Sequence, residues 1–252
     1  MIDLHVHILP GLDDGPETVA EAIALARAIY EDGTRTLVAT PHILNYFDER
    51  RNQQFLEGYG SLKRKLKSNL PDLELLLGSE IYFRPGLYGL AHLEAATINQ
   101  TGRYMLVEFP FAALPTGFEK ELAALKQTGI TPVIAHPERT IPLLKKPSLI
   151  KCILDAGTLL QINAGSLTGV FGRAVKKMAY NLLKERTGHL IATDGHGVDR
   201  RMPSLKAAYF AAAAVVGEAE ARRLVEEHPR LILEGLPCPG SRAETTVVGG
   251  IR

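Results

Sequence analysis

Cysteine is scarce in this chain, and no long apolar run occurs. The two cysteines, Cys152 and Cys238, form no C-x-x-C pair, which argues against a disulfide framework and a cysteine-based zinc site. Neither is followed six positions on by the arginine that a cysteine nucleophile needs to cradle phosphate; Thr158 and Glu244 stand there. No stretch approaches the roughly 18 apolar residues of a membrane helix. The opening MIDLHVHILPG lacks the basic start and clean apolar run of a signal peptide. A cytoplasmic protein without membrane insertion is therefore expected. An excess of one charge is also lacking: the formal net charge is +1, which gives no ground for a nucleic-acid partner. Missing too are a G-x-x-x-x-G-K-[ST] loop for nucleotide phosphates, a G-x-S-x-G elbow and an H-E-x-x-H zinc-protease helix.

What is present is a βα alternation over 252 residues, 46% of them hydrophobic. Apolar runs predict strands at Ile2–Ile8, Arg35–Thr40, Leu73–Phe83, Tyr104–Phe109, Thr131–Ala135, Thr158–Asn163 and His189–Thr193. Between and after them the patterning predicts helices at Glu17–Asp32, Glu49–Leu70, Thr116–Gln127, Ser148–Ala156, Arg173–Arg186, Ser204–Val216 and Glu218–Glu227. Gly33, Gly129 and Gly157 stand where helices stop. Uninterrupted apolar strands are buried on both faces, as in an α/β parallel sheet or barrel. One domain over residues 1–236 is expected, with a loosely ordered tail at 237–252.

The informative residues cluster at one end of these strands. His5 and His7 end the first, and His42 follows the second. Glu80 and Glu108 lie at the ends of the third and fourth. His136 follows the fifth, and Asp194 and His196 follow the seventh. In a parallel barrel those points share one face, where active sites of such barrels form. Residues two apart on a strand point the same way, so His5 and His7 can address one metal together. Asp13 and Asp14 lie in a Gly/Pro-bounded loop over the same face. Taken singly, each of these has an ordinary reading, a hydrogen-bonded histidine or a solvated acid. Five of the eight histidines and several acids falling after strands is a joint pattern that single readings do not explain. His92, His189 and His228 fit structural or surface roles.

Seven motifs in order carry a resemblance: H-V-H, H-I-L-P-G-L-D-D-G-P, T-P-H, G-S-E-I-Y, E-F-P, A-H-P-E-R and T-D-G-H. Together they resemble the PHP superfamily (polymerase and histidinol phosphatase). D-D-G-P, G-S-E-I-Y and H-P-E-R resemble its branch of manganese-dependent bacterial protein-tyrosine phosphatases of capsule and exopolysaccharide biosynthesis. The resemblance spans Ile2 to about Leu233. It implies a distorted seven-stranded (β/α) barrel of the TIM-like PHP type with three divalent ions, manganese first and iron or zinc as alternatives. It implies His5, His7, Glu80 and Asp194 on the first metal. Glu80 (bridging), Glu108 and His136 take the second, and Asp14, His42 and His196 the third. Arg139 and Arg201 match the family's catalytic arginines, with Arg200 a competitor for the second place.

Nine such ligands set four carboxylates against six positive charges, leaving a cationic site suited to a phosphate monoester. Their nitrogen and oxygen donors suit manganese, iron or zinc. The resemblance implies a phosphotyrosine-containing protein tail as substrate, that of a bacterial tyrosine kinase governing polysaccharide export. Three other readings stay open on the residues alone: a small-molecule phosphatase such as histidinol-phosphate phosphatase, a polymerase-associated nuclease, and a non-catalytic metal-binding scaffold domain. Oligomeric state is not encoded in any motif.

Overall fold

The computed structural model describes residues 1–198 and 204–239. Among these residues nine short strands alternate with helices. The first half runs β1 (Ile2–Val6), α1 (Val19–Glu31), β2 (Thr36–Ala39), β3 (His42–Ile43), α2 (Glu49–Asn69), β4 (Glu74–Leu77) and β5 (Glu80–Tyr82). After three short 3-10 turns come β6 (Tyr104–Glu108), α3 (Phe118–Gln127) and β7 (Thr131–Ala135). Then follow α4 (Ile141–Lys145), α5 (Leu149–Asp155), β8 (Leu159–Asn163), α6 (Ala164–Thr168), α7 (Arg173–Lys184) and β9 (Leu190–Ala192). The chain closes with α8 (Leu205–Val216), α9 (Glu218–Arg222) and α10 (His228–Leu233), the last two joined by a π-turn. Among the described residues no helix is long and apolar enough to cross a membrane.

Local chemistry explains the helix starts. Thr18 accepts the Glu21 N–H, Asp48 the Arg51 N–H and Ser204 the Ala207 N–H, each satisfying a donor the first turn leaves unpaired. Helix α7 buries Val175, Met178, Ala179, Leu182 and Leu183 on one stripe, the 3.6-residue period of a covering helix.

All strand pairs are parallel, in two sheets ordered β1-β2-β4 and β3-β5-β6-β7-β8-β9. A bridge between Val6 and Gly195 links them on one side, with the His7 N–H on the Gly195 carbonyl at 2.8 Å. On the other side the third expected strand is broken. Leu73–Phe83 divides into β4 and β5 at Gly78–Ser79, and His42, expected to follow the second strand, opens β3 beyond Pro41. Pro41 has no N–H to extend a ladder. Gly78 sits where a side chain would meet Ile98 and Val38, both 3.3 Å from a Cβ, and Ser79 turns its hydroxyl onto the Ala95 carbonyl at 2.7 Å. The restart puts His42 opposite Glu80 in register. The helices α4 and α6, five residues each, were not expected; both are too short to show a helical period.

A period of two lifts the polar residues to one end. Tyr104 and Leu106 of β6, Leu159 of β8 and Leu190 of β9 belong to one small apolar cluster. Glu108 and Gln161 stand two residues on in those strands, and Asp194 follows β9. From the expected tail, Cys238 is buried and donates its N–H to the Tyr104 hydroxyl at 3.1 Å; residues 240–252 lie outside the described residues.

Candidate metal centre

All nine residues expected to hold metal meet at the ends of the strands. Their ligand atoms form three groups, each with members within 4.8 Å of one another: His7, Asp14, His42 and His196; His5, Glu80, His136 and Asp194; His42, Glu80 and Glu108. The grouping differs in three places from what the resemblance implies, the first being that His42 falls with Glu80 and Glu108 as well as with Asp14 and His196. His7 falls with Asp14, His42 and His196, and His136 falls with His5 and Asp194.

Glu80 is the hub and is fully buried. Its Oε2 lies 3.2 Å from His5 Nε2, 3.2 Å from His7 Nε2 and 3.1 Å from His42 Nδ1. Its Oε1 lies 3.0 Å from His136 Nε2. Yet among the described residues Glu80 Oε2 and His42 Nδ1 have no hydrogen-bond partner of acceptable angle. Buried polar atoms of native proteins are almost always paired. Lone pairs aimed at shared points between imidazoles and carboxylates are what a cation requires, so the donor set fits divalent metal.

The rear nitrogens of the rings are spoken for. His5 Nδ1 lies 3.0 Å from Gln161 Oε1, His7 Nδ1 2.7 Å from Asp13 Oδ2, and His196 Nδ1 2.8 Å from the Asp194 carbonyl. Each bond sets the Nδ1–H tautomer and makes Nε2 the ligating nitrogen. Asp13 also accepts the backbone N–H groups of Gly15 and His42, so one carboxylate fixes two candidate ligands. Asp194 Oδ2 receives Arg139 Nη1 at 2.7 Å and Asn163 Nδ2 at 2.9 Å, which turns Oδ1 toward His5 and His7. Asn163 is oriented in turn, because its Oδ1 accepts the Gly165 N–H and its backbone N–H binds Glu138. Two candidate ligands occupy the left-handed region rarely used by residues with a side chain, His136 at φ 30° and Asp194 at φ 56°. Such strain concentrates at functional sites.

Charge follows the geometry. Burial alone would raise the Glu80 carboxyl; the surrounding His5, His136 and His7 imidazoles outweigh it and hold the group well below the usual carboxylate range. Asp194 is lowered likewise, with His5 and His136 overcoming burial. Glu108 is pushed up to about 7, first by burial and then by the negative Glu80.

Arg139 reaches the same cavity between two rings, its guanidinium carbon 4.2 Å from the Phe171 centroid and 4.7 Å from that of Phe111. Arg201 and its competitor Arg200 lie outside the described residues. The three histidines set apart stay apart: His92 is exposed near Glu49, while His189 and His228 bond each other far along the chain. Sequence reasoning assigned no role to Gln161, Asn163, Glu138 or Phe111. The first two carried a signal, since polar residues alternate at the end of the otherwise apolar strand LLQIN.

The family described as capsular polysaccharide synthesis, CpsB/CapC, matches residues 1–234. Tyrosine-protein phosphatase YwqE of Bacillus subtilis is 38% identical over 207 residues, 80% of this chain and 79% of that protein. Tyrosine-protein phosphatase CpsB of Streptococcus pneumoniae is 33% identical over 239 residues, 92% of this chain and 98% of that one. Crystal structures of YwqE and CpsB, described as unique metal-dependent tyrosine phosphatases, include a chain with a TM-score of 0.88 and 33% identity. That match covers 94% of this chain and 96% of the other. A histidinol phosphate phosphatase from Lactococcus lactis, bound to zinc, L-histidinol and phosphate, gives a TM-score of 0.55 at 13% identity over 87% of this chain and 94% of that one, a likeness of fold alone.

Proposed function

The chain belongs to the CpsB/CapC family of capsular polysaccharide synthesis, and from that membership we propose that it is a metal-dependent phosphatase that hydrolyses phosphotyrosine on proteins. The observation that carries the metal chemistry is the gathering of His5, His7, Asp14, His42, Glu80, Glu108, His136, Asp194 and His196 into ligand groups, together with the buried, unpaired Oε2 of Glu80. These nine residues hold three divalent ions, with manganese the first choice among metals that take nitrogen and oxygen donors. Ions of this kind, when bound, act as Lewis acids and lower the pKa of a water toward neutrality.

The protein's own groups do the rest. Arg139 presents a planar fork that binds phosphate oxygens bidentately, and its two flanking rings restrict it. The resemblance gives Arg201, which lies outside the described residues, the same role. A tyrosinate leaving group has a conjugate acid near pKa 10, so it departs with little protonation and tolerates the lack of a dedicated general acid. The cavity is about 720 Å³ and is lined by loops after several strands. Tyr46, on its rim, is 90% exposed. An open rim of this kind admits a side chain carried on a peptide, which favours a protein tail over an enclosed metabolite. The substrate is the phosphotyrosine tail of a bacterial tyrosine kinase that governs polysaccharide export, and the exposed thiol of Cys152 fits a reducing cytoplasm.

β2 with β3, and β4 with β5, act as two interrupted staves. Counted so, nine strands make seven staves of a distorted barrel over residues 1–236.

Stripping the protein with a chelator and restoring Mn²⁺ tests the proposal. Turnover of a phosphotyrosyl peptide should vanish and return, and histidinol phosphate should be the poorer substrate by kcat/KM. If no aryl phosphate is turned over after metal is restored, the enzyme reading fails. If histidinol phosphate is preferred, the substrate is a metabolite.

A further inference from the structure

Large apolar side chains are unevenly spread over the surface. Among the described residues nine are exposed, and six of these (Leu44, Tyr46, Phe111, Ile141, Val170 and Val198) stand on segments that follow β3, β6, β7, β8 and β9 at the metal-centre end. Scattered exposed apolar groups need no explanation, but Leu44, Tyr46 and Phe111 line one cavity, and exposed apolar groups gathered so mark a binding site.

Phe111 is the member best placed to act on substrate. The residue is 41% exposed and lines the cavity with His136, Arg139, Glu108 and Asp194. The ring centroid lies 5.6 Å from that of His136. Its carbonyl accepts the Ile141 N–H at 2.8 Å, which pins the backbone just past Arg139. Phe171, on the other side of Arg139, is seated against Gly165, where an added Cβ would lie 2.9 Å from the ring. Arg139 therefore has one ring wedged behind it and one ring open to the cavity. Leu44 and Tyr46 line the same cavity from the loop after β3.

We infer that Phe111 is a specificity-determining residue, forming the apolar wall against which the aryl ring of the substrate packs while its phosphate lies at Arg139 and the ligand cluster. This deepens the phosphotyrosine reading and rests on it. An ionic floor with an aromatic side wall selects aryl over alkyl phosphates, because the phosphate contacts are common to both and the ring contact is not. Phosphotyrosine offers both a phosphate for the floor and a benzene ring for the wall, whereas phosphoserine and phosphothreonine offer only the first.

Phenylphosphonate and methylphosphonate share the charged group and differ in the ring, and neither is hydrolysed. Calorimetric titration of the manganese-loaded full chain with each should give a phenyl preference of about 10-fold, the size expected of one aromatic contact. Phe111→Ala should abolish the preference, weakening phenylphosphonate about 10-fold more than methylphosphonate. Phe111→Tyr should keep it, and guards against a folding defect in the alanine variant. Equal weakening of both ligands in Phe111→Ala would mean that the ring only braces Arg139, and the inference falls. An unchanged phenyl preference in that variant, or none in the wild type, overturns it as well. Turnover of a phosphotyrosyl peptide by the wild type is read separately: its absence sinks the phosphatase reading, whereas turnover with an unaltered preference in Phe111→Ala sinks only the wall.

Discussion

At the scale of single residues, the site depends on side chains that never face a ligand position. Asn163 is the clearest. It is buried at the end of β8, caps α6 with its oxygen, and can therefore offer only its NH₂ to Asp194 Oδ2. Asp194 sits at positive φ and must be held there. Asn163→Ala removes the donor, frees the carboxylate to turn, and should weaken metal binding by about 10- to 100-fold, the usual cost of losing an outer hydrogen bond to a metal ligand. Asn163→Asp should be worse, because it sets a second carboxylate against Asp194. Metal content after dialysis against a graded chelator reads this directly. An alanine variant that retains metal as firmly as the wild type would remove Asn163 from the account.

Elements show what was legible in the sequence. The apolar runs found the strands from β6 to β9 to within about a residue or two, since a buried parallel strand has little tolerance for polar residues except at its end. The exceptions, Glu108, Gln161, Asn163 and Asp194, were the functional ones. The split of Leu73–Phe83 was not legible: Gly78 and Ser79 read as ordinary strand residues, and only the approach of Ile98 and Ala95 from distant segments breaks the ladder. Phe111 was equally hidden, because a phenylalanine after a strand looks like core until its exposure is known. The loop carrying Asp13 and Asp14 lies between these cases. Its D-D-G-P motif was readable, but the reason for its glycine was not. A Cβ on Gly15 would lie 2.5 Å from the His7 carbonyl oxygen, against backbone that cannot yield. Gly15→Ala should thus lift the loop off the end of β1. That would withdraw Asp13 from His7 and Asp14 from His42 and His196, and lower metal occupancy while helix content stays unchanged by circular dichroism. Full occupancy in this variant would show the loop to be more pliant than the packing implies.

The whole molecule is closed at the far end of the strands by groups remote from the metal centre, and there pH acts on stability. His189 is buried, with its Nδ1 accepting the Leu160 N–H at 3.0 Å and its carbonyl accepting from His228 at 2.6 Å. Burial, and next the His228 charge, lower its pKa to about 4. Protonation would both charge a buried ring and replace the acceptor that ties β9 to β8. The unfolded chain titrates near 6.5, so between there and about 4 it binds more protons than the folded chain does. Stability from this group is therefore complete above pH 6.5 and is lost as pH falls through that window, by about 2 to 3 kcal/mol at pH 4.5. Asp3, raised to about 6 chiefly by burial, works in the opposite sense, so the wild-type pH profile alone cannot isolate His189. His189→Asn can, because the amide oxygen keeps the acceptor in place and does not titrate. Urea midpoints of both proteins at pH 7.5 and 4.5, in chelator so that metal release contributes to neither, should converge at the higher pH and favour the variant at the lower. Parallel losses in the two proteins would mean that the seam between β8 and β9 opens in acid for another reason.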